Sequence, residues 1–432
     1  MKSTGRGHQA VPRAVRREMD PLNTRPSKPR RNVLFLGLVS LLTDISSEMV
    51  YPLLPLFLSG VLGVSIPFIG LIEGIAESTA SLMKVVSGRL SDRYERRKPF
   101  VWTGYGLSSV MKPLFALSAT GWQVLLFRFG DRIGKGIRTS PRDAMIADSA
   151  PEEQRGRSFG LHRAMDSLGA VLGPLAAFLL LPRFGGDLRW IFLLSFIPAL
   201  AAVLVVLLFV RETVRVTPLP SESSKTHSQA LRALGPEYRY FVAIVCLFTL
   251  GNSSDAFLIL RAKDLGLSLT SIPLVWLLFN SVNTICAVPG GILSDQIGRR
   301  QVIFWSFLFY GIVYLGFAWA SRPFHIWLFF AFYGVYYGFS EGVLRAYVAD
   351  LVPPHLRGTA YGIFHTASGT MAFPSSVLMG ILWQRLGPSW AFLFGASMAF
   401  LAAVLLLRLP HGVGVRAFAQ RQTPASSCPR DR

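Results

Sequence analysis

Long apolar runs alternate with short polar ones along this chain, twelve times over. Runs of about 20 residues, enough to cross the roughly 30 Å hydrocarbon core of a bilayer as helix, lie at 33–58, 67–87, 99–119, 121–147, 158–181, 189–210, 240–260, 270–293, 301–320, 324–347, 359–383 and 390–408. The polar stretches between them repeat. GRLSDRYERRKPF from Gly88 returns as GILSDQIGRRQVI from Gly291, and ADSAPEEQRGRSFG from Ala147 returns as ADLVPPHLRGTAYG from Ala349. Ser46-Ser47-Glu48 in the first run has its counterpart in Ser253-Ser254-Asp255 of the seventh. Two tandem copies of one apolar pattern predict an all-α membrane protein of twelve transmembrane helices in two pseudo-symmetric six-helix halves, an organisation found mostly among secondary transporters. The expected layout is a basic tail at 1–31, a first half at 32–210, a linker at 211–238, a second half at 239–409 and a second tail at 410–432.

Composition agrees with the bilayer as solvent: 51% of the residues are hydrophobic, 16% are charged and the mean hydropathy is +0.42. The 39 Gly and 27 Pro suit membrane helices, where neighbours re-satisfy freed backbone groups. Basic residues gather before the first run (Arg25, Lys28, Arg30, Arg31) and in every second loop, as at Arg93, Arg96, Arg97 and Lys98, at Arg155 and Arg157, and at Arg299 and Arg300. The loops at 59–66 and 118–122 carry no charge. Because Lys and Arg accumulate on the cytoplasmic side, both termini are expected there, in a multi-pass protein of the cell (plasma or inner) membrane. The net charge of +20 then reports topology, with a basic, disordered tail able to lie on anionic lipid rather than a nucleic-acid surface. The tail is not read as a signal peptide, since its charged stretch is too long and no small-residue cleavage site follows the first run. Cys246, Cys286 and Cys428 have no spacing that suggests a metal or a disulfide. No phosphate-binding loop, nucleophile constellation or metal set is present, so neither enzyme activity nor a cofactor is expected.

With the repeated loops in view, the chain resembles the major facilitator superfamily from residue 33 to 408. The loop between its helices 2 and 3 reads Gly88, Leu90, Ser91, Asp92, Arg93, Arg96 and Arg97, with Glu95 where the family prefers Gly; the second copy keeps Gly298 but has Gln296 where the family prefers Arg. A carboxylate at the end of helix 2 can face the positive end of another helix and accept bonds from nearby Arg, closing that side until the contact breaks. Asp92 with Arg93 and Arg97, and Asp295 with Arg299 and Arg300, are therefore read as a cytoplasmic gate with Asp148 and Asp350 as partners; the alternative is a set of solvated loop charges. In the fifth run, Gly160, Gly169, Gly173 and Pro174 fit the pattern that the family associates with antiporters, although Ala177-Phe178 replaces its final Gly-Gly. The same residues also suit a helix-packing seam.

Charges in the bilayer interior cost about 2.5–3.5 kcal/mol each on insertion scales, and the fourth run holds Arg128, Asp131, Arg132, Lys135, Arg138, Arg142 and Asp143. Its basic residues fall within roughly 120° of one another on a helix, forming one stripe that must face water or acids. Asp44 and Glu48, Glu73 and Glu77, and Asp166 are the candidate partners. Each of the first two pairs is four residues apart, hence on one helix face. In the family, helices 1 and 4 line the central cavity. The resemblance therefore implies Asp44 and Glu48 as proton-coupling groups, with Arg132 or Lys135 as the competing cation; a permanent ion-pair network is the alternative. Glu73, Glu77, Arg128, Asp131, Arg132, Lys135, Asp166, Asn280 and Asn283 are expected to line the substrate cavity.

The leading expectation is a monomeric secondary transporter working by alternating access, exchanging protons for a small organic molecule that it exports. Organic-anion uptake or exchange through the basic stripe is a second reading. A non-transporting receptor or scaffold is a third, and it predicts a cavity filled with bulky apolar side chains.

Overall fold

The structure is a computed structural model that describes residues 31–94, 96–151, 154–212 and 234–409, and all regular structure among them is helical. Both tails, apart from Arg31, and the linker between 213 and 233 lie outside the described residues. The twelve expected runs form α1 (Arg31–Val61), α2 (Ile66–Arg93), α3 (Lys98–Leu117), α4 (Gly121–Asp148), α5 (Arg155–Leu180), α6 (Leu188–Phe209), α7 (Gly235–Asp264), α8 (Ile272–Ile297), α9 (Arg299–Trp319), α10 (Pro323–Asp350), α11 (Arg357–Leu386) and α12 (Pro388–Leu406). Eight of them are long and apolar enough on their own to cross a membrane. The exceptions are α3, α4, α10 and α11. The stripe of charges explains α4, and frequent Gly, Ser, Thr and Tyr dilute α10 and α11.

Three runs that read as single helices are interrupted, α6 only at Ser195 between Leu188–Leu194 and Phe196–Phe209. In α1 regular helix stops at Val50, just before Pro52, and resumes at Leu54–Leu56, with Pro55 in its first turn, before a π-helical turn at Phe57–Val61. In α7 helix stops at Gly251 and resumes at Ala256. Backbone groups freed at the α7 break find side chains: the Tyr310 hydroxyl donates to the Gly251 carbonyl at 3.2 Å, and the Ser254 amide donates to Ser376 Oγ at 3.3 Å. Backbone inside an apolar body persists only with such replacements. The seventh helix, α7, begins at Gly235 with Pro236 in its first turn.

The helices alternate in direction, so the molecule has a basic face, where the Arg-rich loops lie, and a far face. At the basic face Asn32 on α1 bonds both Ser149 and the Arg211 carbonyl, and Arg300 reaches the Leu406 and Leu407 carbonyls at the end of α12. At the far face Arg261 donates to the carbonyls of Phe317 and Ala320, closing the end of α9.

The halves α1–α6 and α7–α12 meet along α2 with α11 and α5 with α8. Glycines let the first pair touch: a Cβ on Gly70 would stand 2.3 Å from the Ser376 carbonyl oxygen, one on Gly74 3.0 Å from that of Phe373, and one on Gly380 2.8 Å from Pro67 Cα. All lie toward the far face. The close approach ends at Gly369 against Ser81; nearer the basic face Gly358 and Gly362 of α11, and Gly156 and Gly160 of α5, would meet nothing within 4 Å. The halves are thus pressed together at the far face and diverge toward the basic one.

Candidate functional site

Between the halves lies a cavity of about 450 Å³. The α4 contribution is set by local sequence. Thr120 and Gln123 form a reciprocal capping box that starts the helix, the arrangement that satisfies two otherwise orphaned amides. Gly134 then lies against Gly104 of α3, and Gly136 against Met83 of α2. Those approaches bury the arginines that alternate with them along α4.

Arg128, 4% exposed, donates to Glu73 Oε2 at 3.0 Å, and Glu73 is 1% exposed. Arg132 pairs with Glu77 at 3.3 Å, and Asp131 stands 4.0 Å from Arg128 and 3.9 Å from Arg132. Arg138 has no carboxylate in this network: it donates to Ser108 Oγ at 2.8 Å and lies over the Tyr105 ring at 4.4 Å. Arg142 pairs with its neighbour Asp143 at 2.9 Å. The stripe therefore faces acids and the cavity together, as its charge demands.

Asp44, Glu48, Glu77, Arg128, Asp131, Arg132 and Lys135 all line the cavity. Glu73, Asp166, Asn280 and Asn283 do not. Glu73 lies behind Arg128 and also accepts from Ser254 of the other half at 3.4 Å. Asp166 accepts from Ser40 at 2.8 Å, pairs with Arg163 at 3.1 Å and has the Asp44 carboxyl within hydrogen-bonding reach. Asn280 ties α8 to the Ala170 carbonyl of α5 at 3.1 Å, and Asn283 is at the α8–α10 seam, its carbonyl 2.9 Å from where a Cβ on Gly338 would stand. Glu48 crosses between halves, accepting from the Trp276 indole at 2.6 Å. Its counterpart Asp255 stays in its own half, accepting from the Tyr333 hydroxyl at 2.6 Å.

Asp255 and Lys112, both charged and both lining the cavity, stand outside the expected cavity set. Asp255 is legible in sequence as the repeat of Glu48 and as an intramembrane acid of the second half. Lys112 of α3, 3% exposed, donates to Ser46 Oγ at 2.6 Å and Ser47 Oγ at 3.1 Å. Its signal was one lysine deep in the third apolar run.

The expected gate residues assemble inside each half at the basic face. Arg97 pairs with Asp92 at 3.5 Å and with Asp148, and Arg299 pairs with Asp295 at 3.5 Å and with Asp350. Arg93 is exposed, and Arg300 caps α12 instead of joining its cluster. In α5, a Cβ on Gly169 would stand 2.9 Å from Asp44 Cβ and one on Gly173 2.6 Å from Glu48 Cβ, whereas Gly160 meets nothing. Gly173 precedes Pro174, which is buried within the helix. Two of the three glycines thus seat α5 directly behind the two lining carboxylates of α1.

The sequence profile of the Major Facilitator Superfamily matches residues 36–375 and 240–429. An uncharacterized MFS-type transporter of Methanocaldococcus jannaschii is 37% identical over 383 residues, covering 87% of this chain and 94% of its own. The multi-drug resistance efflux pump PmrA of Streptococcus pneumoniae is 24% identical over 324 residues, covering 72% of this chain and 79% of its own. Among solved structures, a mutant of the nucleoside transporter NupG superposes with a TM-score of 0.73 at 14% identity, covering 87% of this chain and 99% of that one. An inward-facing bacterial homolog of the human lysosomal transporter Spinster gives 0.68 at 17% identity, covering 93% and 100%. With its twelve helices in two halves and a family match spanning nearly all of them, the chain is a multi-pass membrane transporter that belongs to the Major Facilitator Superfamily.

Proposed function

We propose that this protein is a proton-coupled antiporter that exports a small organic molecule from the cytoplasm, with the basic face and both termini cytoplasmic, as a monomer in the cell membrane. The observation that carries the reading is the charged cavity between the halves, lined on one side by Asp44 and Glu48 and shut toward the far face. A carboxylate that loses its bond when the halves move can exchange its proton with alternating sides. Glu48 fits that role, since its Trp276 partner belongs to the opposite half. The likeness to an efflux pump and the α5 glycines favour export. The organic-anion reading is left with Lys135 and Arg138 of the stripe, because Arg128 and Arg132 already hold Glu73 and Glu77. A scaffold with an apolar, filled interior does not fit a cavity lined by charge.

The test is proton movement in everted vesicles, followed by a pH-sensitive dye while cationic drugs, sugars and organic anions are added. Compound-triggered proton release that disappears in the Asp44→Asn, Glu48→Gln double variant is expected. Release retained in that variant places coupling elsewhere, and silence across the panel with folded protein removes antiport. In the same assay Asp92→Asn is expected to slow cycling with little change in binding; an unchanged rate removes the gate role of the Asp92–Arg97–Asp148 cluster.

A further inference from the structure

The cavity's charges do not cancel in place. Arg128 and Arg132 are engaged by Glu73, Glu77 and Asp131, which leaves Lys112, Lys135 and Arg138 on α3 and α4 without a carboxylate within ion-pair distance among the described residues. Lys112 has three N–H donors and only two acceptors, both serine hydroxyls. The buried Nε of Arg132 has no hydrogen-bond partner either. On the other wall Asp255 has no Lys or Arg within ion-pair distance among the described residues; its partner is the neutral Tyr333. Glu48, across from it on α1, is held by the neutral Trp276 of the Asp255 half. Tyr51 packs against Trp276 with ring centroids 5.2 Å apart, and both line the cavity with Tyr337.

Buried charge without a counter-charge is costly, and a buried donor without an acceptor costs about 1–3 kcal/mol. A bound ligand can remove both penalties at once only if it brings opposite charges to opposite walls. We propose, on the basis of the transport reading above, that the substrate class is zwitterionic. Its acidic group is held by Lys112 and Arg138, and its cationic group lies between Asp255 and Glu48 against the faces of Trp276 and Tyr337, the Tyr51 ring being covered by the Arg128 guanidinium at 5.3 Å. Aromatic faces attract cations, which suits the wall that carries Trp276 and Tyr337.

The experiment measures binding to the purified full chain in lipid nanodiscs by calorimetry. Two scaffolds with different charge separation serve as probes, 4-(2-aminoethyl)benzoic acid and phenylalanyl-alanine, each as the free zwitterion, the methyl ester, the N-acetyl form and the doubly blocked form. At least one free zwitterion is expected to bind ten-fold or more tighter than either singly blocked form of its scaffold. Lys112→Met is expected to abolish the preference over the ester, Lys112→Arg to keep it, and Asp255→Asn to abolish the preference over the N-acetyl form. The two arms are independent, so failure of one variant to fold leaves the other as the test. An ester or N-acetyl form that binds as tightly as its zwitterion overturns the inference while leaving transport through this cavity standing. Absence of binding by every charge class overturns both.

Discussion

Arg128 and Glu73 meet at 3.0 Å with almost no solvent on either side chain. A buried pair of this kind is weak evidence for stability as a whole, but removing one partner strands the other at a cost of about 3–5 kcal/mol. Glu73→Gln and Arg128→Gln are each expected to lower the thermal midpoint in detergent markedly, and the double variant to lose less than the sum of the two. Strict additivity would show that the pair does not interact. The basic stripe and the acid pairs were legible in sequence, because four-residue spacing defines a helix face without any tertiary knowledge. The matching of partners was not. Glu73 and Glu77 turn to α4, while Asp44 turns to Asp166 and Glu48 to an indole of the other half, and those choices depend on how helices distant in sequence pack. Lys112 escaped for a related reason: one lysine in an apolar run reads equally well as a side chain reaching for the interface.

At the scale of the helix, the repeat pointed to Glu48 and Asp255 but not to the breaks beside them. Pro52 is a visible signal in α1; in α7 the interruption at Asn252 has no proline and depends on Tyr310 and Ser376 to hold its backbone. Helix ends facing a cavity in this way place backbone dipoles at its wall, as at the sites of transporters with discontinuous helices. Glycine carries a different message, since its meaning depends on what stands opposite. Gly74 allows α2 to lie on Phe373 of α11, and a branched side chain there must push the far-face seam apart. Gly74→Val is therefore expected to shift the population toward a state open at the far face, read as a longer distance between spin labels on the far ends of α2 and α11. An unchanged distance distribution would mean that this seam does not limit closure.

For the whole molecule, each half carries an Arg–Asp cluster at the basic face, yet the halves divide the chemistry, with charge concentrated in α1–α4 and aromatic rings in α7–α10. Twelve helices and the two-fold repeat were readable because lipid permits few solutions; the conformation captured here was not, since it depends on small differences in contact between halves. Among the described residues one ion pair joins the halves near the basic face, Arg163 to Glu341 at 3.4 Å, and Arg163 also holds Asp166, the neighbour of Asp44. Its side chains are 59% and 37% exposed, so solvent screens the pair and limits it to about 0–1 kcal/mol. That is small for folding but not for alternating access, where 1 kcal/mol changes a population ratio about five-fold. Glu341→Gln is expected to increase opening at the basic face by no more than about that factor, measured between spin labels on the basic ends of α4 and α10. High salt is expected to produce the same opening in the parent protein and to add nothing in the variant. A variant that opens no further than the parent at low salt would show that Arg163 does not restrain the halves, and the divergence of α5 and α11 from their partners would then be limited by packing at the far-face glycines alone.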